Sequence, residues 1–341
     1  MGWYPAVGRP LFFALPPEAA HRLAGAMLGL PLPWRRIGHA FQDPRLRVEL
    51  AGLPLRNPIG LAAGFDKTCR HLDALGELGF GYVVGGTITR APRTGNPKPR
   101  IVRYSSKASM TNAMGLPNPG ADRVASTIAT QGPAPRFVSV ADEALEDAVE
   151  TARLLAPHAD GIELNASCPN VSWGRDRDNE THVRELVGGM RAVTDRPLFV
   201  KLPPFASAVE RDVVLALASI AQEAGAVGLT CSNTRLVGDR HLSVGTGGLS
   251  GRALWDRTLQ IVTDVRSATG GAMVINASGG ISTGEDVLAC LEAGATTVQI
   301  YSALIYEGPG IVGRLTRELA RALEERGTSV RALAGASEPA A

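Results

Sequence analysis

Eight short apolar runs, each followed by a stretch with helical spacing, constrain the fold of this chain more than any other feature. The runs cover 58–62, 80–86, 136–140, 161–164, 197–201, 226–230, 273–276 and 297–300. They are apolar on both faces and rich in Val and Ile, which is typical of buried parallel strands. Helical periodicity covers 68–78, 142–156, 180–194, 207–224, 254–268, 283–293 and 310–325, with a capping box expected from Ser282 to Glu285.

Eight β/α units in succession predict an α/β fold, a closed (β/α)₈ TIM barrel with a small N-terminal helical appendage. We expect the appendage over residues 1–42, with two amphipathic helices at 17–30 and 33–41, the barrel over 43–328, and a flexible tail over 329–341. A doubly wound open sheet is the alternative, but no GxGxxG motif follows the first strand.

The composition excludes several classes of function. A formal net charge of +2 over 341 residues gives no reason to expect a nucleic-acid partner. The four cysteines, at 69, 168, 231 and 290, form neither a CxxC pair nor a Cys/His cluster. We therefore expect no disulfide framework and no metal site, and a reducing cytosol fits best. The uncharged run 23–34 is too short to span a bilayer, and the earlier PLFFALPP only loosely resembles a signal peptide.

Polar residues follow most of the predicted strands, at the end of a barrel where active sites lie. They are Lys67, Thr87, Asn165, Lys201, Ser232, Asn233, Thr234, Gly279, Gly280, Tyr301 and Ser302. The glycine pair at 279–280, with Ser302 and the glycine cluster at 246–251, predicts a phosphate site built from backbone N–H groups. The long interval 87–135 is also expected to be functional.

The remaining polar residues leave more than one interpretation open. Lys201 could neutralise an anion such as a reduced flavin, and Lys67 could bind substrate or simply pair with Asp66; either lysine could also form a Schiff base. Cys168 lies in a polar loop and is a candidate reactive thiol, although most lone cysteines are inert. Four asparagines, at 112, 165, 170 and 233, suit a flat heterocycle with carbonyl and N–H groups.

These segments resemble the dihydroorotate dehydrogenase family over nearly the whole chain. The matching pieces are NPIGLAAGFDK (57–67), GNPKPRIVR (95–103), NAMG (112–115), ELNASCPN (163–170), VKLPP (200–204), SNT (232–234), TGGLSGR (246–252) and QIYSALIYEGP (299–309). Their order matches the family as well. The resemblance implies FMN-dependent oxidation of (S)-dihydroorotate to orotate in de novo pyrimidine (UMP) biosynthesis, with electrons passed to a quinone.

The resemblance also assigns roles to individual residues. It implies that Cys168 is the catalytic base, that Lys67 also serves catalysis, and that Lys201 lies near the N1–C2 edge of the flavin. The implied substrate site comprises Lys67, Asn112, Met114, Gly115, Leu116, Asn165, Asn170, Asn233 and Thr234. The implied FMN site comprises Ala62, Ala63, Gly64, Thr87, Ser139, Asn165, Lys201, Ser232, Gly251, Gly279, Gly280, Tyr301 and Ser302.

The chain mixes features of the two classes of this family. Cys168 matches the cytosolic class, in which cysteine is the usual base. The N-terminal LPPEAAH (15–21), GFDK and GNPKPR match the membrane-associated class, in which N-terminal helices form a quinone tunnel. Leu116 stands where the pattern has an aromatic residue, and Ser139 where it has an asparagine. The resemblance implies a peripheral protein on the cytoplasmic side of the cell membrane, with a cytoplasmic location as the alternative.

Other functions compatible with the sequence differ in the acceptor or the chemistry. Fumarate or a partner flavoprotein could replace the quinone. A phosphate-sugar lyase or isomerase using Lys67 or Lys201 would need no flavin. A catalytically silent membrane-bound module would bind flavin, but dihydroorotate would not reduce that flavin.

Overall fold

Eight parallel strands close into a barrel in the computed structural model, which describes residues 4–129, 132–141, 143–166 and 179–334. The strands are β1 (Val48–Leu50), β2 (Leu53–Leu55), β3 (Ile59–Leu61), β4 (Tyr82–Ile88), β5 (Ile101–Tyr104), β6 (Ser109–Asn112), β7 (Arg136–Val140), β8 (Gly161–Leu164), β9 (Leu198–Leu202), β10 (Gly228–Cys231), β11 (Arg235–Gly238), β12 (Thr246–Gly251), β13 (Val274–Ser278) and β14 (Thr297–Ile300). The barrel runs β3-β4-β7-β8-β9-β10-β13-β14 and closes on β3. The predicted TIM barrel is confirmed, and each predicted strand matches a barrel strand within two residues at either end.

Helices surround the barrel between the strands, as the periodicity predicts. The helices are α1 (Arg9–Ala14), α2 (Pro17–Leu28), α3 (Trp34–Ile37), α4 (Leu72–Glu77), α5 (Ala121–Ala125), α6 (Leu145–Leu155), α7 (Asn179–Val193), α8 (Ala208–Glu223), α9 (Trp255–Ala268), α10 (Gly284–Glu292), α11 (Ser302–Glu307), α12 (Ile311–Glu325) and α13 (Val330–Leu333). The predicted capping box of α10 is one residue too early. Thr283 accepts from the Asp286 N–H at 3.0 Å, and the Asp286 carboxylate accepts from the Thr283 N–H at 2.9 Å.

The predicted start of a flexible tail at 329 is also too early. Ser329 caps α13 by accepting from the Ala332 N–H at 3.2 Å, and the Val330 side chain is fully buried. Helix α13 lies against β1 and α10, so this segment is docked on the barrel and is not a free tail. Residues 335–341 of the predicted tail lie outside the described part of the chain.

Aromatic rings fill one level of the barrel interior, and each ring faces a glycine on a neighbouring strand. Tyr82 pairs with Gly60, Phe137 with Gly161, and Phe199 with Gly228. A Cβ added at these glycines would lie 2.2–2.3 Å from the ring that it faces. The three rings contact one another edge-to-face at 5.6 and 5.5 Å. Large and small residues therefore interlock across neighbouring strands. This packed aromatic layer supports the polar residues in the layer above it.

Two insertions after barrel strands combine into a second sheet that the sequence did not predict. Strands β5 and β6 come from the long interval 87–135, and β11 and β12 follow β10. They form an antiparallel sheet in the order β11-β12-β6-β5. The prediction that the interval is functional agrees with this position, because Asn112 at the end of β6 and Gly248 and Ser250 of β12 line the large cavity described below.

The N-terminal segment forms more helix than predicted. A π-helical turn, Tyr4–Gly8, and α1 precede the two expected helices, which are found as α2 and the shorter α3. The PLFFALPP stretch (10–17) thus begins within α1. The Arg103 guanidinium donates to the last carbonyls of this helix, at 3.2 Å to Phe12 and 3.3 Å to Phe13. Arg103 thereby satisfies backbone groups that the end of a helix leaves without partners. Across the described ranges, no helix combines the length and apolar composition needed to cross a bilayer.

Candidate active site

One cavity of about 1010 Å³ opens where the barrel strands end and continues beneath the N-terminal helices. Residues from nearly every barrel strand end line it, and so do residues of α2 and of the antiparallel sheet. The predicted site residues on its wall are Ala62, Ala63, Gly64, Lys67, Thr87, Asn112, Met114, Gly115, Leu116, Asn165, Lys201, Ser232, Asn233, Thr234, Gly251, Gly279, Gly280, Tyr301 and Ser302. The tertiary structure thus brings together residues that are separated by up to 240 positions.

A chain of hydrogen bonds joins several of these polar residues across three barrel strands. The Asn165 side-chain amide donates to the Thr87 hydroxyl at 3.2 Å, and the Asn233 side-chain amide donates to Oδ1 of Asn165 at 3.2 Å. The Thr234 N–H then donates to the Asn233 side chain at 2.8 Å. Because each amide is held by its neighbour, the donors and acceptors facing the cavity have fixed orientations suited to a planar ligand.

Ser139 occupies a different position from the one that the resemblance implies. Its side chain is fully buried, is absent from the cavity wall, and shares a 3.0 Å hydrogen bond with the Thr87 hydroxyl. The structure corrects the expectation of a direct contact: Thr87 lines the cavity, and Ser139 supports that residue from behind through this hydrogen bond. Cys168 and Asn170 lie outside the described residues.

Lys201 brings a buried positive charge to the floor of the cavity. Its side chain is only 7% exposed, and its Nζ lies 3.7 Å from Oε1 of the equally buried Glu163. A buried lysine costs stability unless its charge is compensated. Glu163 provides that compensation from the neighbouring strand, and no pattern in the sequence predicts this contact.

Lys67 lies at the side of the cavity, and its ammonium donates to the carbonyl of Gly64. Burial, together with the repulsion of Arg100, lowers the pKa of Lys67 to about 8, although Asp66 opposes this shift. The Asp66 carboxylate instead accepts from Thr68, with the Oγ1 at 2.8 Å, and from the His71 N–H at 2.6 Å. Lys67 is therefore held beside the cavity, where an anionic ligand would restore its ordinary pKa.

The predicted phosphate-binding glycines form a continuous part of the wall. Gly279 and Gly280 have φ of 138° and 73°, a region of backbone conformation that favours glycine. A Cβ on Gly280 would lie 2.6 Å from the backbone nitrogen of Trp255. The Arg252 guanidinium donates to the Gly280 carbonyl at 3.0 Å and to Asp286 at 2.6 Å. Opposite them, the Ser302 hydroxyl donates to Ser250 at 3.1 Å. These residues offer a compact set of hydroxyl and backbone groups to an anion.

The upper part of the cavity is lined by residues outside the predicted substrate and FMN sites. Arg100 binds Glu18 of α2 through two hydrogen bonds of 3.1 Å and so holds the helix over the cavity. The rings of His21, Phe65 and Tyr301 follow one another at 5.6 and 5.9 Å. Burial and the nearby Lys67 charge lower the pKa of His21 to about 4, so this ring is neutral at physiological pH. The motifs containing Glu18, His21 and Arg100 were recognised, but no single-residue signal indicated these contacts.

The three cysteines within the described ranges lie in the packed interior. Cys69, Cys231 and Cys290 are buried, and burial raises the pKa of each thiol, that of Cys231 to about 12. A thiol with a raised pKa is a poor base or nucleophile, so these three cysteines are packing residues of the interior. No group of three or more His, Cys, Asp or Glu side chains suited to a metal occurs in the described ranges.

Comparison with known proteins gives one consistent answer. The family model described as "Dihydroorotate dehydrogenase" matches residues 45–323. The chain belongs to the dihydroorotate dehydrogenase family. A relative from Sphingopyxis alaskensis named "Dihydroorotate dehydrogenase (quinone)" is 38% identical, covering 92% of this chain and 91% of the relative. A mitochondrial relative of the same name from Mus musculus is 36% identical, over 92% of this chain and 84% of the relative.

The solved structures extend this result to the fold. The crystal structure of DHODH from Eimeria tenella in complex with ferulenol has a TM-score of 0.80 and 30% identity, covering 93% of this chain and 94% of that chain. The ligand-free form of the same protein gives the same TM-score. The predicted membership of the dihydroorotate dehydrogenase family, with its likeness to the quinone-dependent class, is confirmed.

Dihydroorotate dehydrogenases use a flavin, and the residues of this member fit one. The cavity is large enough for a tricyclic ring with a ribityl phosphate, since small-molecule sites typically measure about 300–1,000 Å³. Its floor carries the Lys201 charge, and the Oε1 of Gln299, also on the wall, is buried without a hydrogen-bond partner among the described residues. A ligand donor at this position would satisfy that oxygen.

Proposed function

We propose that this protein oxidises (S)-dihydroorotate to orotate with FMN and passes the electrons to a quinone, as a step of de novo pyrimidine biosynthesis. One observation carries this proposal: a single cavity joins the buried Lys201 and the amide cluster at the barrel mouth to the space under the N-terminal helices. A substrate site and a separate acceptor site can therefore face the same cofactor. The names of the relatives, which specify a quinone, support this assignment.

The FMN phosphate would bind the glycine wall, with Gly251, Gly279, Gly280, Tyr301 and Ser302 as its contacts. Ala62, Ala63, Gly64 and Thr87 would lie along the ring system, with Asn165 and Ser232 nearby. Lys201 would hold the pyrimidine edge of the flavin and stabilise the negative charge of the reduced form. When bound, FMN supplies the hydride-accepting chemistry that no side chain of the protein can provide.

The substrate is a small anion with amide-like groups, and the described residues match both features. Lys67 would bind the carboxylate, while the amides of Asn112, Asn165, Asn170 and Asn233 and the hydroxyl of Thr234 would bind the ring. Met114, Gly115 and Leu116 would close the side of the site. Because Asn165 and Asn233 are already hydrogen-bonded to each other, the protein pays little entropy to orient them.

Cys168 would remove the proton from C5 of dihydroorotate, taking it onto Sγ as the hydride leaves C6. A C–H bond beside a carbonyl is only weakly acidic, so a positioned base is needed. The thiolate is the reactive form, and the charge of Lys67 would favour it. Lys67 would thus assist catalysis as well as binding.

The quinone would reach the cofactor from the other side, beneath α2. His21, Phe65 and Tyr301 supply an aromatic path, and Glu18 paired with Arg100 keeps the helix in place. Within the described ranges, seven of the twelve exposed large apolar side chains lie between residues 7 and 32: Val7, Leu11, Leu15, Leu23, Met27, Leu30 and Leu32. Residues 1–50 also carry six arginines against three acidic residues.

This concentration supports peripheral contact of the N-terminal segment with the cytoplasmic side of the cell membrane. Replacing Leu11 and Leu30, which are 66% and 51% exposed, by Asp should abolish sedimentation with anionic phospholipid vesicles. Leu236, 60% exposed on β11, is the matched control, and Leu236→Asp should bind vesicles normally. Equal loss in both proteins, or no loss in either, would contradict this orientation.

The purified protein should show flavin absorbance, and anaerobic dihydroorotate should bleach it. Cys168→Ala should keep the flavin but slow bleaching by about 10²–10⁴-fold, the usual loss for a general base. Cys168→Ser is the matched control, because a hydroxyl retains the position of the base. Colour without bleaching would reject the substrate, and undiminished bleaching by Cys168→Ala would reject the base.

The acceptor is tested separately by stopped-flow reoxidation of the reduced protein. A quinone should reoxidise the flavin faster than fumarate or oxygen at equal concentration. Faster reoxidation by fumarate would replace the quinone in the proposed reaction.

A further inference from the structure

A single carboxylate beneath the floor of the cavity connects strands on opposite sides of the barrel. Glu163 of β8 is 1% exposed and is absent from the cavity wall. Its Oε1 lies 3.7 Å from Nζ of Lys201 on the adjacent strand β9. Its Oε2 accepts at 3.2 Å from Gln299 of β14, which lies four strands away in either direction around the eight-stranded barrel. Both of its partners, Lys201 and Gln299, do line the cavity.

The surroundings of Glu163 are polar but carry little charge. Oε2 also accepts from the Thr230 hydroxyl at 2.9 Å, and Asn276 donates to that hydroxyl at 3.4 Å. Within the described ranges, Oε1 accepts no hydrogen bond. Lys201 is therefore the group that compensates this buried charge, and a buried charge that loses its partner is strongly destabilised.

The same carboxylate determines how Gln299 presents its amide. An ionised carboxylate only accepts hydrogen bonds, so the NH₂ group of Gln299 must face Glu163. The Oε1 of Gln299 is then left for another donor, and it has no partner in the part of the chain that the structure describes. Glu163, which does not line the cavity, thus orients Lys201 and Gln299, which do.

We propose that Glu163 is a positioning residue that tunes the bound flavin through Lys201 and Gln299; this inference rests on the proposed function. Glu163 holds the Lys201 ammonium at the cavity floor and offsets part of its positive charge. Without that offset, Lys201 would stabilise the negative charge of the reduced flavin more strongly. Glu163 therefore keeps the flavin potential lower, which favours rapid transfer of electrons to the acceptor after substrate oxidation.

The test is a charge cycle in the full-length holoprotein, comparing the native protein with Glu163→Gln, Lys201→Gln and the double variant. The readouts are the two-electron midpoint potential of the flavin and the Kd of sulfite, which adds to oxidised flavin as an anion. Both need no turnover. Glu163→Gln should shift the reduction equilibrium toward reduced flavin on the order of tenfold, the usual scale for a close charge. For two electrons this is a rise of about 30 mV.

The order of potentials distinguishes charge from structure. We expect Glu163→Gln to lie highest, the native protein and the double variant to be similar, and Lys201→Gln to lie lowest, with sulfite affinity in the same order. Glu163→Asp keeps the charge and should stay near the native value. A lower or unchanged potential in Glu163→Gln would overturn the inference, because displacement of Lys201 alone would lower it.

The double variant protects the test against misfolding. Glu163→Gln leaves Lys201 unpaired and can fail to fold, whereas the double variant buries no charge. If Glu163→Gln does not fold, the double variant is compared with Lys201→Gln, and its potential must exceed that of Lys201→Gln on the order of tenfold in the equilibrium. Equal potentials would overturn the inference. A native protein without flavin would instead reject the proposed function, and that outcome is visible before any variant is made.

Discussion

Raising the pH from 7 to 9 should weaken orotate binding through the titration of Lys67. The lowered pKa of about 8 means that the ammonium, which would bind the orotate carboxylate, is present below pH 8 and is lost above it. The charged fraction falls from about nine tenths at pH 7 to about one tenth at pH 9, as the titration of one group requires. The Kd of orotate should rise about tenfold, or about 1.4 kcal/mol. With the ordinary lysine pKa of 10.5, the Kd would hardly change.

Orotate binding can be followed by the change that it causes in the flavin absorbance spectrum. Lys67→Arg is the matched control, because a guanidinium stays charged over this pH range, and its Kd should vary little. A pyrimidine lacking the carboxylate should also bind with little dependence on Lys67. A constant Kd in the native protein up to pH 10 would refute the argument. An equal rise in Lys67→Arg would assign the titration to another group.

Three further predictions follow from the packing of the fold. Gly161→Ala would place a Cβ 2.2 Å from the Phe137 ring and should lower the free energy of unfolding by about 1–3 kcal/mol in chemical denaturation. Gly188→Ala is its control: no neighbour lies within 4 Å, so α7 should be unaffected or stabilised by up to about 1 kcal/mol. Thr283→Ala removes the cap of α10 and should cost about 1 kcal/mol in the same assay, and a smaller cost in Thr283→Ala than in Thr283→Gly would contradict the capping role. Arg100→Gln breaks the pair that holds α2 and should raise the KM for quinone while single-turnover bleaching by dihydroorotate stays normal; a slower bleaching step would place Arg100 in the substrate half of the site.

The barrel could be predicted from the sequence because its elements are encoded locally. Runs such as 80–86 and 226–230 are apolar on both faces, and the stretches between the runs carry helical periodicity, so strand and helix could be told apart without knowing any partner. The antiparallel sheet was missed for the opposite reason. Strand β6 pairs with β12 across more than 130 residues, and the short strands of this sheet show no hydrophobic periodicity of their own.

The same contrast applies to the candidate site. Lys67, Lys201 and Asn233 were assigned because each follows a strand and lies in a recognisable motif. Glu163 lies within a family motif too, yet nothing local distinguishes a buried carboxylate from an exposed one. Ser139 was placed one layer too close to the cavity, because the sequence indicates that a residue ends a strand but not which neighbour covers it.

The amino-acid sequence alone therefore determined the number and order of the β/α units and the strand ends that bear polar groups, since hydrophobic periodicity and motif spacing act over a few residues. Only the tertiary structure decided which polar groups share a cavity, that α2 covers it, and that Glu163 links Lys201 to Gln299 across the barrel. These contacts depend on barrel closure, which sets distances between residues that are far apart in the chain. Glu163 contacts Gln299 because the barrel closes, and it contacts Lys201 because β8 and β9 are neighbours; no local pattern in the sequence indicates either contact.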